Sequence, residues 1–229
     1  MTAYINTPPG SPGSEPLPVM LTPISVQDYL RSLQWDGVER LGTLFQRYFG
    51  ANPRYNRFSK AFFVSAVARV YAPGRPMGAL LVLAGAGGEG KSAALQALVS
   101  PRWFGRGDAP EVGDGGPDPQ IAGKWIWEIS ELGGGRGVAD RKKRSRLIRA
   151  CVDVYRPPYS RQEMLVPRWA TVVGTTNEDQ YKADRLHRAM VIHTGCVDVP
   201  ALRQDRDMIW AEAVVLYQRD SSPRKEEGV

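Results

Sequence analysis

Apolar residues in the first third of the chain recur at helical spacing. A first helix is predicted to begin near Ser25, because Ser25 and Asp28 form a helix-start pattern and apolar residues follow every three or four positions. A second short helix is predicted around residues 41–48. A third is predicted over residues 57–71, where a Pro-Gly pair ends the pattern. These patterns predict an N-terminal helical segment.

The pattern changes to strand-like apolar runs after residue 78. Residues 79–84 are continuously apolar and lie between glycines, which is typical of a strand buried on both faces of a parallel sheet. Alternating strands and helices then predict an α/β fold with a layered parallel sheet. The further strands are predicted at 124–129, 169–174 and 189–193, and the helices at 92–99, roughly 142–155 and 202–218.

Composition sets the boundaries of the predicted domains. Residues 1–22 are rich in proline and glycine and are predicted to be a disordered tail, as is the polar segment 220–229. Between these tails we predict a helical subdomain over 23–75 and a P-loop core over 76–219. Segment 105–119 is rich in Gly, Asp and Pro and is predicted to be a loop.

The charge balance favours an anionic partner. The 229 residues include 30 Lys and Arg against 24 Asp and Glu, a formal net charge of +6 that suits nucleic acid. Cys151 and Cys196 are too few for a disulfide framework and are expected to be buried reduced thiols. The chain has neither a secretory-signal pattern nor an apolar run of membrane-spanning length, so we expect a cytoplasmic protein without membrane contact.

A glycine-rich loop follows the first predicted strand. It fits the phosphate-loop pattern G-x-x-x-x-G-K-S at every fixed position, in the sequence Gly85-Ala86-Gly87-Gly88-Glu89-Gly90-Lys91-Ser92. Glycines let backbone N–H groups surround an anion, and the next helix turns its positive end toward it. We expect Lys91 to contact the β- and γ-phosphates of ATP and Ser92 to hold Mg²⁺. The predicted nucleotide-binding residues are Gly85, Gly87, Gly88, Gly90, Lys91 and Ser92.

The predicted strand at 124–129 supplies carboxylates for a metal ion and for water. Glu128 is best placed to serve Mg²⁺, directly or through water, and Glu131 to polarise the attacking water. The reverse assignment is equally compatible with the sequence, since the commoner pattern has two adjacent acids at the strand end. Each residue is alternatively a surface glutamate.

A second predicted strand, at 169–174, ends in small polar residues. Thr175, Thr176 and Asn177 follow it directly. In a sheet that carries a phosphate loop, such a strand end is expected beside the γ-phosphate. We therefore expect Asn177 to hydrogen-bond the γ-phosphate or the lytic water.

A dense run of basic residues lies between positions 136 and 149. Asp140 is the only acid within the run. The repulsion between its positive charges favours an anionic partner, although a solvated helix face is the simpler explanation. Arginines then alternate with tyrosines, which suits single-stranded nucleic acid and equally suits contacts between subunits. The predicted nucleic-acid contacts are Arg141, Lys142, Lys143, Arg144 and Arg156.

Two arginines are candidates for a contact made in trans. In ring-forming nucleotide hydrolases, an arginine of one subunit reaches the γ-phosphate that its neighbour holds. Arg188 and Arg206 follow the polar strand end and are our candidates for this role. Each is alternatively a surface or salt-bridged arginine.

These motifs together resemble the virulence-associated protein E family over about residues 26–218. The matching segments are Asp28-Tyr29-Leu30, Leu33 to Val38 with Arg40-Leu41, Ala66 to Tyr71, Gly85 to Ser92, Gly123-Lys124-Trp125 to Glu131-Leu132, Asp153, Tyr155 to Tyr159 with Arg161, Gly174 to Asn177, Asp205-Arg206-Asp207, and Trp210 to Ala213. Members of the family are P-loop ATPases of phages and integrated mobile elements, related to the superfamily-three helicases and the AAA+ class.

The resemblance implies a helicase-like protein that binds and hydrolyses ATP with Mg²⁺ in mobile-element replication. It implies single-stranded or replication-fork DNA as the substrate, a homo-oligomeric ring, a primase as a candidate partner, and a bacterial or phage origin. For individual residues it implies ATP at Gly90, Lys91 and Ser92, metal and water chemistry at Glu128 and Glu131, and a sensor role for Asn177.

The chain departs from the family pattern after the sensor. The family usually has Gly-Asn-Arg-Arg-aromatic there, whereas this chain has His187 in place of one arginine and Met190 in place of the aromatic residue. The departure keeps open an ATP-dependent DNA-binding or assembly module with weak or no hydrolysis. A phosphotransferase acting on a small molecule shares the loop, but nothing specific in the sequence indicates the substrate lid that it would need.

Overall fold

The computed structural model describes residues 23–107, 121, 123–130, 132, 150–155, 164–177 and 189–221. The helices within these residues are α1 (Ile24–Ser32), α2 (Leu44–Phe49), α3 (Arg57–Tyr71), α4 (Lys91–Ala97) and α5 (Val199–Ser221). The strands are β1 (Leu80–Ala84), β2 (Phe104–Gly107), β3 (Ile126–Ile129), β4 (Val152–Tyr155), β5 (Met164–Pro167), β6 (Thr171–Thr176) and β7 (Ala189–His193). Short 3₁₀ helices lie at Leu41–Thr43, Pro53–Asn56 and Pro101–Trp103.

Five of these strands form a parallel sheet in the order β2-β3-β6-β1-β7. The predicted α/β fold with a layered parallel sheet and an N-terminal helical segment is therefore confirmed. Ala84, the last residue of β1, lies between Thr176 of β6 and His193 of β7. The segments that follow these three strands consequently emerge together at one edge of the sheet.

The apolar run of β1 explains its central position. All five residues of the strand are buried. Leu81 and Leu83 pack into a hydrophobic cluster with the helices, while Leu80 and Val82 pack into a second cluster on the opposite face. A strand with apolar side chains on both faces is stable only where both faces are covered, and β1 meets that condition.

The helices cover one face of the sheet around a set of aromatic residues. The rings of Trp125 and Trp210 lie with their centroids 4.1 Å apart, and both residues are fully buried. The indole N–H of Trp210 donates to the carbonyl oxygen of Leu98, 2.6 Å away. This satisfies the one polar group of the buried indole and ties α5 to the end of α4.

Helix α5 is joined to the segment before α3 by the side chains of Glu212, Tyr29 and Tyr48. We call this set of contacts the helical seam. The carboxylate of Glu212, which is 1% exposed, accepts hydrogen bonds from the backbone N–H groups of Arg40 (2.6 Å) and Leu41 (2.9 Å). The hydroxyls of Tyr29 and Tyr48 donate to two aspartates on α5. Those bonds join Tyr29 to Asp207 at 2.7 Å and Tyr48 to Asp205 at 2.6 Å.

Strands β4 and β5 pair antiparallel as a separate hairpin between β3 and β6. The helix predicted at roughly 142–155 is wrong for its last residues, because 152–155 form β4, while 142–149 lie outside the described residues. The side chain of Arg168 forms an ion pair with Asp153. This pair fixes the base of the hairpin against the start of β6.

Two further predictions need correction. Residues 105–107 of the predicted loop belong to β2, whose sequence Phe-Gly-Arg-Gly has no apolar alternation to reveal a strand. The cysteines are not buried, since Cys151 is partly exposed and Cys196 is exposed, although neither forms a disulfide bond.

The N-terminal helices and the sheet share one hydrophobic cluster, which contains residues of α1, α3, β1 and α5. The boundaries predicted between a helical subdomain and a P-loop core remain a prediction. In the described part of the chain, no helix combines the length and the apolar character needed to cross a lipid bilayer.

Candidate functional site

The phosphate loop runs from Gly85 to Ser92, between the end of β1 and the start of α4. Gly88 and Gly90 have φ angles of +87° and +91°, a region that side-chain-bearing residues rarely adopt. Gly85 is constrained by space instead, because a Cβ there would lie 2.6 Å from Oγ1 of Thr194 and 3.0 Å from its backbone carbonyl oxygen. A Cβ on Gly87 would meet the side chain of Asn177 at 4.0 Å, which places Asn177 directly against the loop.

Lys91 points into the loop rather than into solvent. The residue is 6% exposed, and its Nζ donates to the carbonyl oxygens of Gly85 (2.8 Å) and Ala86 (2.6 Å). An ammonium group has three donors, and two of them are used by these carbonyls. Lys91 therefore brings a positive charge and a further donor to the concave side of the loop.

Glu128 lies at the centre of a hydrogen-bonded group and is 0% exposed. Its Oε1 accepts from the hydroxyls of Ser92 (2.5 Å) and Thr175 (2.8 Å). Its Oε2 accepts from Nε of Arg106 at 3.0 Å. The loop and the acidic strand, which are 36 residues apart, thus meet through the hydrogen bond between Ser92 and Glu128.

A cavity of about 380 Å³ opens at this edge of the sheet. Its lining includes the loop residues Gly88, Gly90, Lys91 and Ser92, together with Arg106, Thr175 and Asn177. The cavity wall combines a buried ammonium group, hydroxyls, a guanidinium and an amide. The carboxylate of Glu128 lies behind this wall, hydrogen-bonded to Ser92 and Thr175. Hydroxyl and carboxylate oxygens are the ligands that Mg²⁺ prefers, and Lys91 and the loop N–H groups suit phosphate. The residues present therefore fit a nucleotide with its metal ion.

Arg206 lies on α5, outside the residues that line this cavity. Its Nε donates to Asp207 at 2.9 Å, and Asp207 also accepts from the Tyr29 hydroxyl. Burial alone would raise the pKa of Asp207, but the hydrogen bonds from Tyr29 and Arg206 hold that pKa below its ordinary value. In its own chain Arg206 belongs to the helical seam, and its contact in trans remains a prediction.

Several predicted site residues lie outside the described residues, so their placement stays a prediction. They are Glu131, Arg141, Lys142, Lys143, Arg144, Arg156 and Arg188.

Sequence reasoning missed Arg106 and the contact made by Thr175. Thr175 was within the polar strand end, but only the order of the strands shows that β6 lies between β1 and β3 and brings its hydroxyl to Glu128. Arg106 stands opposite Glu128 in the β2–β3 register. No local pattern reveals that pairing, because it depends on two strands that are separated along the chain.

The family comparison identifies one matching model, the Virulence-associated protein E-like domain, over residues 30–228. The match includes the phosphate loop, Glu128, Asn177 and Glu212 of the helical seam. The family predicted from the sequence motifs is confirmed. No curated protein matches the chain.

Among solved structures, the chain is similar to the NrS-1 C-terminal region. One structure of residues 305–718 of that protein is 17% identical with a TM-score of 0.49, covering 86% of this chain and 48% of the other. A second, of the A form, is 13% identical with a TM-score of 0.52, covering 87% of this chain and 48% of the other. This chain therefore spans about half the length of these solved chains. The similarity to the second structure is a similarity of fold.

Proposed function

Since this chain belongs to the virulence-associated protein E-like family, we propose that it is an ATP-binding and ATP-hydrolysing helicase-like protein that acts on DNA in phage or mobile-element replication. The observation that carries the proposal is the 2.5 Å hydrogen bond between Ser92 and Glu128, beside Lys91 and its loop. A nucleotide-metal complex needs all three groups at one place. Folding brings them together from two separate segments.

The proposal gives a distinct role to each of the predicted site residues. Lys91 and the loop N–H groups bind the phosphates, and Ser92 and Glu128 hold Mg²⁺. Asn177, which lies against the loop, orients the lytic water or the γ-phosphate. When bound there, Mg²⁺ would neutralise charge on the phosphate oxygens. Glu131 is the proposed residue for polarising water.

Lys91→Ala should abolish ATP turnover and weaken nucleotide binding, because it removes the buried cation of the loop. The measurements are calorimetric nucleotide binding and phosphate release. Lys60→Ala is a matched control, since Lys60 is a half-exposed lysine on α3 and pairs with Glu39. If Lys91→Ala binds nucleotide as the wild type does, the loop is not the nucleotide site.

We further propose that single-stranded or fork DNA contacts the basic run and the segment that joins β4 to β5. The sequence supplies Arg141, Lys142, Lys143 and Arg144 before the hairpin and Arg156 directly after β4. Phosphate contacts of this kind depend on salt, with a slope of log affinity against log salt of about −0.7 per phosphate neutralised on a single strand. A homo-oligomeric ring and a primase partner belong to the same proposal.

Replacing Arg141, Lys142, Lys143 and Arg144 with Ala should weaken DNA binding and flatten that slope by about 0.7 for each phosphate that is no longer neutralised. Nucleotide affinity should change little, because the phosphate loop is a separate site. Sedimentation distinguishes the alternative that the run joins subunits. An unchanged slope together with a smaller particle would contradict the DNA contact.

The second candidate is an ATP-dependent DNA-binding or assembly module with weak or no hydrolysis. The observation that favours it is His187 in place of the usual arginine after the sensor. The two candidates differ in turnover, because the first expects DNA-stimulated hydrolysis. The second expects nucleotide-dependent DNA binding or assembly with turnover near background.

A further inference from the structure

Arg106 is a cation at the cavity that belongs to none of the sequence motifs. It stands on β2 directly opposite Glu128 in the strand register, so both side chains project from the same face of the sheet. Its Nε donates to Oε2 of Glu128 at 3.0 Å, and its side chain is 45% exposed while that of Glu128 is 0% exposed. One end of the guanidinium is therefore fixed by a buried carboxylate, and the rest is open to the cavity.

Within the part of the chain that the structure describes, the donors of Arg106 are only partly used. A guanidinium carries five N–H donors, and the described residues engage the one on Nε. The same residues place Arg106 in the lining of the cavity together with Lys91, Ser92 and Asn177. The planar fork formed by its terminal nitrogens matches the oxygens of a phosphate group. Because the Glu128 carboxylate already holds Nε, the Arg106 side chain would lose less conformational entropy when its terminal nitrogens bind a phosphate.

We propose that Arg106 is a phosphate ligand in cis that makes the site prefer a nucleoside triphosphate to a diphosphate. The proposal rests on the proposed nucleotide binding and adds a specificity-determining residue to it. Lys91 and the loop lie at the β1 end of the cavity, whereas Arg106 comes from β2, on the far side of Glu128. In the proposed binding mode the loop holds the phosphates nearer the nucleoside, so the phosphate group that reaches towards Arg106 is the terminal one.

A purely structural role for Arg106 makes a different prediction. If Arg106 only neutralises the buried carboxylate of Glu128, its removal perturbs the metal site, and the effect depends on Mg²⁺. If Arg106 binds the terminal phosphate, its removal weakens triphosphate binding with Mg²⁺ and also without it. Diphosphate binding then stays the same, because the group that Arg106 contacts is absent.

The test measures the affinities of ADP and of a non-hydrolysable ATP analogue by calorimetry, each with Mg²⁺ and with EDTA. Arg106→Gln should lose about tenfold or more in affinity for the ATP analogue, the scale of one charge-assisted hydrogen bond, in both buffers. Its affinity for ADP should stay within about twofold. Arg102→Gln is the matched control, since it removes the same charge from an arginine that stacks on Trp103 just before β2.

Arg106→Lys guards against a folding defect in the glutamine variant, because it keeps a positive charge beside Glu128 but lacks the fork. It should also lower the ratio of ATP-analogue to ADP affinity, by less than Arg106→Gln does. An unchanged ratio in both variants, an equal loss for both nucleotides, or a loss confined to Mg²⁺ buffer would overturn the proposal. A wild-type protein that binds neither nucleotide would overturn the proposed function as well, so the two failures are distinguishable.

Discussion

Glu128 on β3 and Glu212 on α5 are almost equally buried, at 0% and 1% exposure. Both lie within the residues that match the family model. Neither burial nor family membership therefore separates them, although they lie in very different surroundings.

Their hydrogen-bond partners do separate them. Glu128 accepts from three side chains that line the cavity, Ser92, Thr175 and Arg106. Glu212 accepts from two backbone N–H groups inside the helical seam. Side-chain hydroxyls and a half-exposed guanidinium can rearrange when a ligand arrives. Backbone N–H groups at the start of a 3₁₀ helix are fixed by the chain itself.

The comparison indicates that a buried carboxylate with movable partners belongs to a site, and one with backbone partners belongs to the fold. Burying a charge costs several kcal/mol unless it is compensated. Glu212 achieves this with contacts that also fix the entry to the 3₁₀ helix at Leu41–Thr43. Glu128 achieves it with groups that a nucleotide-metal complex would also engage.

The largest expected difference between the two glutamates is in turnover. Glu128→Gln keeps the shape and removes the charge, so ATP binding should persist while hydrolysis falls by roughly 10²-fold or more. Glu212→Gln makes the same chemical change within the seam, and its turnover should stay within about threefold of the wild type at a temperature where it is folded. Phosphate release at saturating ATP measures both.

Equal losses of turnover in the two variants would contradict the distinction between site and fold. Circular dichroism at the assay temperature verifies that both variants are folded. If neither variant loses turnover, the metal carboxylate lies elsewhere in the chain.

The next difference is in stability and has the opposite order. Glu212→Ala leaves the N–H groups of Arg40 and Leu41 buried without acceptors, which should lower the free energy of unfolding by about 2–3 kcal/mol. Glu128→Gln should cost less than about 1 kcal/mol, because the cation that it leaves behind, Arg106, reaches water. Urea unfolding followed by tryptophan fluorescence measures both. A larger loss for Glu128→Gln than for Glu212→Ala would reverse the assignment.

Local patterns predicted the parts of the site that are contiguous in sequence. The phosphate loop is one unbroken segment, and Asn177 belongs to a short polar run at the end of a strand, so both could be predicted from short windows. The sheet was predictable for the same reason at β1 and β7, where apolar runs have strand length. The helix at Arg57–Tyr71 was predicted at about these bounds because its apolar spacing and its Pro-Gly end agree.

The missed elements depend on partners that are distant in sequence. β2 contains two glycines, and a Cβ on Gly105 would lie 2.5 Å from the ring of Trp127, so this glycine is required by a side chain on the neighbouring strand. Because the strand must carry this glycine, its sequence lacks the apolar pattern from which a strand is predicted. β4 was mistaken for the end of a helix because Leu147, Cys151 and Val154 also fit helical spacing. Glu212 lies in a motif of the resemblance, but its backbone partners are 172 and 171 residues away.

The smallest expected effect concerns the tyrosines of the helical seam at high pH. Burial, and then the hydrogen bond to Asp207, raises the pKa of Tyr29 above its ordinary value of 10.0. The folded protein therefore keeps Tyr29 protonated at pH values where the unfolded chain ionises it, so stability should fall as the pH rises above about 10. Tyr29→Phe removes this titration and should make the alkaline loss shallower by about one proton per molecule.

Tyr48→Phe provides a parallel case, because burial and the hydrogen bond to Asp205 raise the pKa of Tyr48 in the same direction. The measurement is the free energy of unfolding in urea at several pH values from about 8 to 11, a window that spans the unfolded pKa. At pH 8 both variants should lose about 1 kcal/mol, the scale of one hydrogen bond, and the difference from the wild type should narrow as the pH rises. A gap that stays constant across the window would show that these hydroxyls do not link the seam to pH. The helical seam would then be distinguished from the candidate site only by the backbone hydrogen bonds of Glu212, and not by a pH-dependent stability.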